Sequence, residues 1–160
     1  MSNVRVEFLQ EMFKYSTDRT AKLAEKFPAD KRLVQAKPGK GHALWQVGHV
    51  ATALDLITNT WILGGAPLLP AEYNKKFSPG IMGGDTPTAN AGDYPEFDEV
   101  LANYKKAAAQ TVELLKGISD ADLPGELRGP VPDQARSFFG KLGQGLTGLA
   151  GLPDDERAKQ

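Results

Sequence analysis

The chain contains two histidines, His42 and His49, which flank Trp45 within the segment 39–57. An imidazole can ligate a metal ion, act as a general base near neutral pH, or serve only as a hydrogen-bonding group. Positions seven residues apart on a straight helix differ by about 10.5 Å in height, whereas a metal–nitrogen bond is about 2 Å long. The two rings therefore cannot share one ion unless His42 leaves the helix and folds back.

The surroundings of the two histidines predict different roles. His42 precedes an apolar segment with helical spacing, and a polar residue at a helix entrance is typically a capping or solvated group. His49 shares a helix face with Trp45, Thr52 and Leu56, because residues three and four positions apart are neighbours on a helix. We therefore expect the His49 ring to point into the protein, hydrogen-bonded to a backbone carbonyl or a hydroxyl.

Composition and charge exclude several classes of function. The 160 residues predict a single domain over residues 1–160. With 19 basic and 20 acidic residues, the chain has no basic excess for a nucleic-acid backbone or an anionic membrane. Cysteine is absent, which excludes disulfides, thiolate catalysis and cysteine-ligated metals. No apolar run has the length of a membrane span or signal core, so we expect a cytoplasmic protein.

Apolar periodicity predicts four helices, over residues 3–27, about 43–63, 97–118 and within 132–153. The sequence thus predicts an all-α fold, a four-helix bundle with a long loop between helices 2 and 3. That loop, residues 64–94, contains six glycines and four prolines, and its stretch "PAEYNKKF" could add one helical turn. The apolar face of the first helix is predicted to contain Leu9, Phe13, Ser16, Thr20, Leu23 and Phe27.

The helical pattern is continuous in the third segment and interrupted in the fourth. From Phe97 to Ile118 an apolar stripe continues over six turns, and Asp93 with Glu96 three positions later suits a capping box. Tyr94 is the other candidate for the cap. In the fourth segment glycines interrupt the helical spacing, at a cost of about 1 kcal/mol each relative to alanine. We expect that helix to end or fray near Gly145.

The segment "LWQVGHVATALDLI" resembles the second-helix signature of the DinB-like superfamily of four-helix metalloenzymes, in which a tryptophan precedes a Gly-His pair. Here Trp45 precedes Gly48 and His49. The upstream "KFPADKRLVQAKPGKGHALW", the third helix with "ISDADL", and the closing "LGQGLTGLAGLPDDE" are similar to the family as well. The resemblance covers nearly the whole chain and implies a four-helix bundle in which His49 is the first metal ligand.

The resemblance also locates the other two metal ligands of the family, a pair of histidines four residues apart on the last helix. Counting back from Gln144 places Ser137 and Lys141 at those positions. A serine hydroxyl is a poor neutral ligand, and a lysine ammonium repels a divalent cation. His49 is then the single retained ligand, and we expect a pocket formed by Trp45, His49, Ser137 and Lys141 without a functional metal site.

Three functional hypotheses follow. The first is a bundle without a cofactor that binds a small molecule or has no catalytic role. The second is a metal-dependent transferase or hydrolase, with zinc, nickel or iron held by His49 and non-standard ligands such as His42 with Glu72 or Asp85. The third uses His49 as a general base beside Lys141. As partners we expect a small-molecule ligand and a second copy of the chain, because the second helix is apolar on more sides than one bundle interior buries.

Overall fold

The computed structural model describes residues 3–122, and within them four α-helices account for most of the structure. They are α1 (Val4–Glu25), α2 (Ala43–Ala53), α3 (Glu72–Phe77) and α4 (Phe97–Leu115). A π-helical segment, Leu54–Ile62, directly continues α2, and short 3-10 turns lie at Ala29–Lys31, Gly80–Met82, Ala91–Asp93 and Asp120–Asp122. No strand occurs in these residues. The predicted all-α fold, with a long loop after the second helix, is confirmed.

The predicted fourth helix, with Ser137 and Lys141, lies outside the described residues. The chain divides into two units, Met1–Gly129 and Pro130–Gln160, and the described residues belong to the first. The single domain over residues 1–160 stays a prediction. None of the described helices has the length and apolarity that crossing a membrane requires.

Helix α4 forms the centre of the core, as its periodicity predicts. Its buried side chains follow the stripe that begins at Phe97, and it packs against α1, α2 and the π-helical segment. The aromatic residues of α2 and α3 complete the same cluster. The buried apolar side chains of α4 are Phe97, Val100, Leu101, Tyr104, Ala107 and Ala108.

A buried polar contact joins the π-helical segment to α4. The Asn59 side chain is fully buried; its Nδ2 donates to the Ala107 carbonyl at 3.0 Å, and its Oδ1 accepts from Thr111 Oγ1 at 2.6 Å. Buried amides and hydroxyls cost free energy unless they are hydrogen-bonded. The pairing therefore fixes the register of the π-helical segment on α4.

The ends of two helices are capped differently from the local sequence signals. Asp120, far along the chain, accepts the backbone N–H groups of Val6 at 2.9 Å and Arg5 at 3.2 Å, which satisfies two of the free donors at the start of α1. The predicted capping box of α4 is wrong. Glu96 is the N-cap and makes no side-chain cap bond, because Asp93 lies in the preceding 3-10 turn and binds Thr88 and Asn90 instead.

The buried face of α1 is rotated from the predicted one. Val6, Ala21 and Ala24 are buried, whereas Leu9 and Leu23 are exposed. The small alanines permit close approach of α1 to α4, and Tyr104 of α4 donates its hydroxyl to the Thr17 carbonyl at 3.1 Å. The larger apolar side chains of α1 are therefore left on its outer surface.

Candidate functional site

Three side chains on α2 and its π-helical continuation hold the backbone of residues 63–96. We call this segment the connection between α2 and α4. Trp45 Nε1 donates to the Lys76 carbonyl at 3.0 Å, and His49 Nδ1 donates to the Phe77 carbonyl at 2.8 Å. One to two turns further on, the Asp55 carboxylate accepts backbone N–H groups of the connection at 2.9–3.1 Å. We call these three residues, Trp45, His49 and Asp55, the anchor residues.

His49 lies half-buried against Trp45. The two rings stack with their centroids 4.8 Å apart and an interplanar angle of 10°. A carbonyl oxygen can only accept a hydrogen bond, so the ring nitrogen facing Phe77 is the protonated Nδ1 and the neutral ring has its lone pair on Nε2. Within residues 3–122 Nε2 has no hydrogen-bond partner. Of the two ring nitrogens of His49, it is the one that these residues leave available for chemistry or recognition.

Gly48 makes the His49 contact possible. A Cβ atom built on Gly48 would lie 2.4 Å from two ring carbons of Phe77, far inside normal contact distance. The Phe77 ring is fully buried and packs directly over the helix at this position. Gly48 and His49 thus act together. Because Gly48 has no side chain, the Phe77 ring can pack against the helix, and His49 can then bind the Phe77 carbonyl.

His42 has a structural role at the start of α2. Its Nδ1 accepts the Trp45 backbone N–H at 3.1 Å, and its Nε2 donates to the Thr88 carbonyl at 2.9 Å. The ring is almost fully buried and meets Tyr94 edge-on. Burial lowers the pKa of His42 below its ordinary value, and the hydrogen bond to Thr88 opposes this only in part. Of the two roles predicted for His42, the capping role is confirmed, whereas the solvated one is wrong because the ring is buried.

Of the four residues predicted to form the pocket, the structure describes two. Trp45 and His49 lie together on α2, whereas Ser137 and Lys141 are outside the described residues. Among residues 3–122 no three His, Asp or Glu side chains lie close enough to hold a metal ion. His42 uses both ring nitrogens within the fold, and Glu72 and Asp85 are exposed on the connection. The donors that the structure describes do not fit a metal centre.

A cavity of about 170 Å³ lies beside the anchor residue Asp55, between the end of α2 with its π-helical continuation and the start of α3. Its walls combine buried polar groups with apolar side chains of the connection. Thr52 is buried, and its hydroxyl has no hydrogen-bond partner among residues 3–122. Asp55 is buried with its carboxylate on backbone amides. We call it the α2–α3 cavity; it is lined by Thr52, Asp55, Leu56, Pro67, Leu69, Pro70, Ala71, Tyr73 and Asn74.

Sequence reasoning did not find this cavity. The available signal was a carboxylate, Asp55, on an otherwise apolar helix, where a buried charge needs partners. Those partners come from Leu68 and Leu69, whose position depends on the path of the connection. A second, larger cavity of about 400 Å³ lies on the connection itself, beside Lys76, Thr88 and Asp93. Its polar groups already bond one another, as Lys76 Nζ donates to the Asp93 carbonyl at 2.5 Å.

The helices and the Gly-His geometry define an all-α protein in which α2 holds a long connection against the core. The model of the DinB superfamily matches residues 12–142, and the chain belongs to that family. No curated protein and no solved structure gives a match. The family assignment agrees with the resemblance seen around Trp45, Gly48 and His49.

Gly48→Ala should destabilise the protein. The added methyl group would overlap the Phe77 ring, and overpacking of this kind costs about 1–3 kcal/mol. Gly80→Ala is the matched control, since an added Cβ there meets no atom within 4 Å. Urea unfolding of both variants measures the difference. Equal stabilities of the two variants would show that Phe77 does not pack on Gly48.

Stability should depend on pH through His42. Its pKa in the folded protein lies below the ordinary value of 6.5, so protons bind preferentially to the unfolded chain. The contribution to the free energy of unfolding is complete above about pH 6.5 and decreases as the pH falls below it, towards the folded-state pKa. Asn is also a good N-cap and does not titrate. The stability of wild type relative to His42→Asn should therefore fall between pH 7.5 and 5.5; a constant difference would contradict the assignment.

Proposed function

We propose that this protein is a DinB superfamily member that works without a metal and binds a small polar molecule in the α2–α3 cavity, whose wall residue Thr52 lies one helical turn from His49. The observation that carries the proposal is the small number of side chains that could ligate a metal ion. The chain has two histidines and no cysteine. One histidine, His42, is used at both ring nitrogens by the fold, which leaves a single imidazole nitrogen, Nε2 of His49.

The residues at the family's other ligand positions support the same proposal. The resemblance places Ser137 and Lys141 where the family has histidines. A lysine must lose its proton before it can ligate a metal, and as an ammonium it repels a divalent cation by Coulomb interaction. The donor chemistry of His49, Ser137 and Lys141 is therefore unsuited to zinc, nickel or iron.

The α2–α3 cavity supports the binding part of the proposal. The buried hydroxyl of Thr52 lacks a partner in the part of the chain that the structure describes, and an unsatisfied polar group of this kind costs about 1–3 kcal/mol. A bound molecule with a hydrogen-bonding group would remove that cost. The volume of about 170 Å³ is below the usual range of about 300–1,000 Å³ for drug-sized ligands. The ligand is therefore a molecule of few heavy atoms.

The walls of the cavity indicate how such a molecule would be oriented. Asp55 offers carboxylate oxygens, so it favours a ligand that presents N–H or O–H donors. Leu56, Leu69 and Pro70 form apolar walls that favour a hydrocarbon portion. The backbone N–H groups of Leu68 and Leu69 hold the carboxylate in place. Because the anchor residues hold the connection, the cavity is formed before the ligand binds.

Metal analysis tests the first part of the proposal. Protein purified without a histidine tag should contain far less than one equivalent of zinc, nickel or iron. Addition of these ions should leave the melting temperature unchanged, because a ligand that binds the native state raises it. Stoichiometric metal that is lost in the His49→Ala variant would contradict the proposal and support the metal-dependent transferase or hydrolase.

Substitution of Thr52 tests the second part. In extensively dialysed protein, Thr52→Val removes a buried hydroxyl without a partner and should raise the free energy of unfolding by about 1 kcal/mol. Thr111→Val is the control, since the Thr111 hydroxyl is equally buried but donates to Asn59 at 2.6 Å. That variant should be destabilised by about 1–3 kcal/mol. Destabilisation of both variants in urea unfolding would show that the Thr52 hydroxyl is already satisfied in the protein alone.

A further inference from the structure

Asp55 is the one charged side chain among the described residues that line the α2–α3 cavity. It is 5% exposed. The ion pairs found within residues 3–122 all join exposed side chains elsewhere in the protein. Because buried charges in proteins are normally paired, Asp55 is a buried carboxylate for which the described residues supply no cation.

Backbone N–H groups hold the Asp55 carboxylate without using all of its acceptor capacity. Oδ1 accepts the Leu68 N–H at 2.9 Å, and Oδ2 accepts the Leu69 N–H at 3.0 Å. A carboxylate offers about four lone-pair positions, and two N–H groups do not fill them. Since Asp55 lines the cavity, a donor bound there can use the positions that remain.

The hydroxyl of Thr52 is a second polar group in the same wall that has capacity for a ligand. Thr52 is 4% exposed, and its Oγ1 has no hydrogen-bond partner among residues 3–122. It precedes Asp55 by three positions in the sequence, and residues at this spacing are neighbours on one side of a helix. A group with several N–H donors can therefore bind the Asp55 carboxylate and the Thr52 oxygen together.

We propose that the ligand of the α2–α3 cavity is a small primary amine in its protonated form, with its ammonium group between Asp55 and Thr52. This inference rests on the small-molecule site proposed above and names the class of ligand. An ammonium offers several N–H donors and no acceptor, so it matches two wall groups that can both accept. It also supplies the positive charge that Asp55 lacks, and opposite charges attract more strongly in a buried site than in water.

The rest of the wall separates an amine from other charged ligands. An anion would meet the Asp55 carboxylate, and no cationic side chain lies among the described wall residues to offset the repulsion. A calcium ion takes several oxygen ligands and magnesium is bound through carboxylates and waters, whereas most of the remaining wall is apolar. Apolar walls around about 170 Å³ suit a short hydrocarbon attached to the ammonium, as in a small alkylamine or amino alcohol.

A chemical-shift titration of the full isotope-labelled chain tests the class of ligand. Ethanolamine, protonated at neutral pH, is the probe, and ethylene glycol is the matched neutral control because a hydroxyl replaces its ammonium group. The amide signals of Leu68 and Leu69 should shift saturably with ethanolamine, with a millimolar dissociation constant, since a ligand of few atoms gains little free energy in total. Ethylene glycol should bind about tenfold more weakly or less, and potassium chloride should give no saturable shift.

Substitutions test the two wall groups. Asp55→Asn keeps an oxygen for the backbone N–H groups but removes the charge, so it should weaken ethanolamine binding about tenfold or more and affect ethylene glycol far less. Asp98→Asn is the control, because it removes an exposed carboxylate of α4, and it should change neither affinity. Thr52→Val should weaken ethanolamine binding severalfold and keep the preference over ethylene glycol. This variant and the comparison of probes test the proposal even where Asp55→Asn does not fold.

The failure of this inference can be told apart from the failure of the proposed function. Equal affinities for the two probes, or ethanolamine binding that Asp55→Asn leaves intact, would overturn the amine while the response of Leu68 and Leu69 still supports a small-molecule site. Saturable shifts from potassium chloride alone would identify a site for a simple cation and overturn the amine as well. If neither probe shifts these signals at any concentration at which the protein stays folded, the amine and the proposed cavity site fail together.

Discussion

The hydrogen bond from His49 to the Phe77 carbonyl is the contact on which the candidate site depends, and it forms because the neighbouring residue, Gly48, has no side chain. Gly48 leaves room for the Phe77 ring, the ring brings its carbonyl within 2.8 Å of His49 Nδ1, and the stacked Trp45 limits the rotation of the imidazole. The same bond decides which ring nitrogen keeps its lone pair. Packing, tautomer and available chemistry are therefore set together, by two adjacent residues on one helix.

The two histidines illustrate how position in the fold separates residues of the same type. His42 is buried with both nitrogens engaged, so its ring is committed to the cap of α2. His49 uses one nitrogen to hold the connection and keeps the other. A count of histidines from the sequence treats them alike, but the backbone around each of them gives one a purely structural role.

Local periodicity predicted the parts of the fold that depend on neighbours in the chain. The α4 stripe from Phe97 to Thr111 and the capping position of His42 could both be predicted from spacing and residue type. The cap of α1 could not be, because Asp120 lies 114 residues from Val6. The cavity was missed for the same reason, since the partners of Asp55 come from a glycine- and proline-rich connection whose path no local pattern determines. The buried face of α1 could not be predicted from its own sequence either, because it depends on which side of the helix α4 covers.

The anchor residues bind main-chain atoms, and this has an evolutionary consequence. The carbonyl of Lys76 is present whatever residue occupies that position, and the N–H groups of Leu68 and Leu69 would be kept by any replacement except proline. Selection can therefore exchange residues along this stretch, and with them the groups presented to a bound molecule, while its attachment to the scaffold persists. Phe77 is the exception, because its ring as well as its carbonyl is used. A connection that is attached through main-chain atoms can therefore change its binding specificity while the arrangement of the helices stays the same.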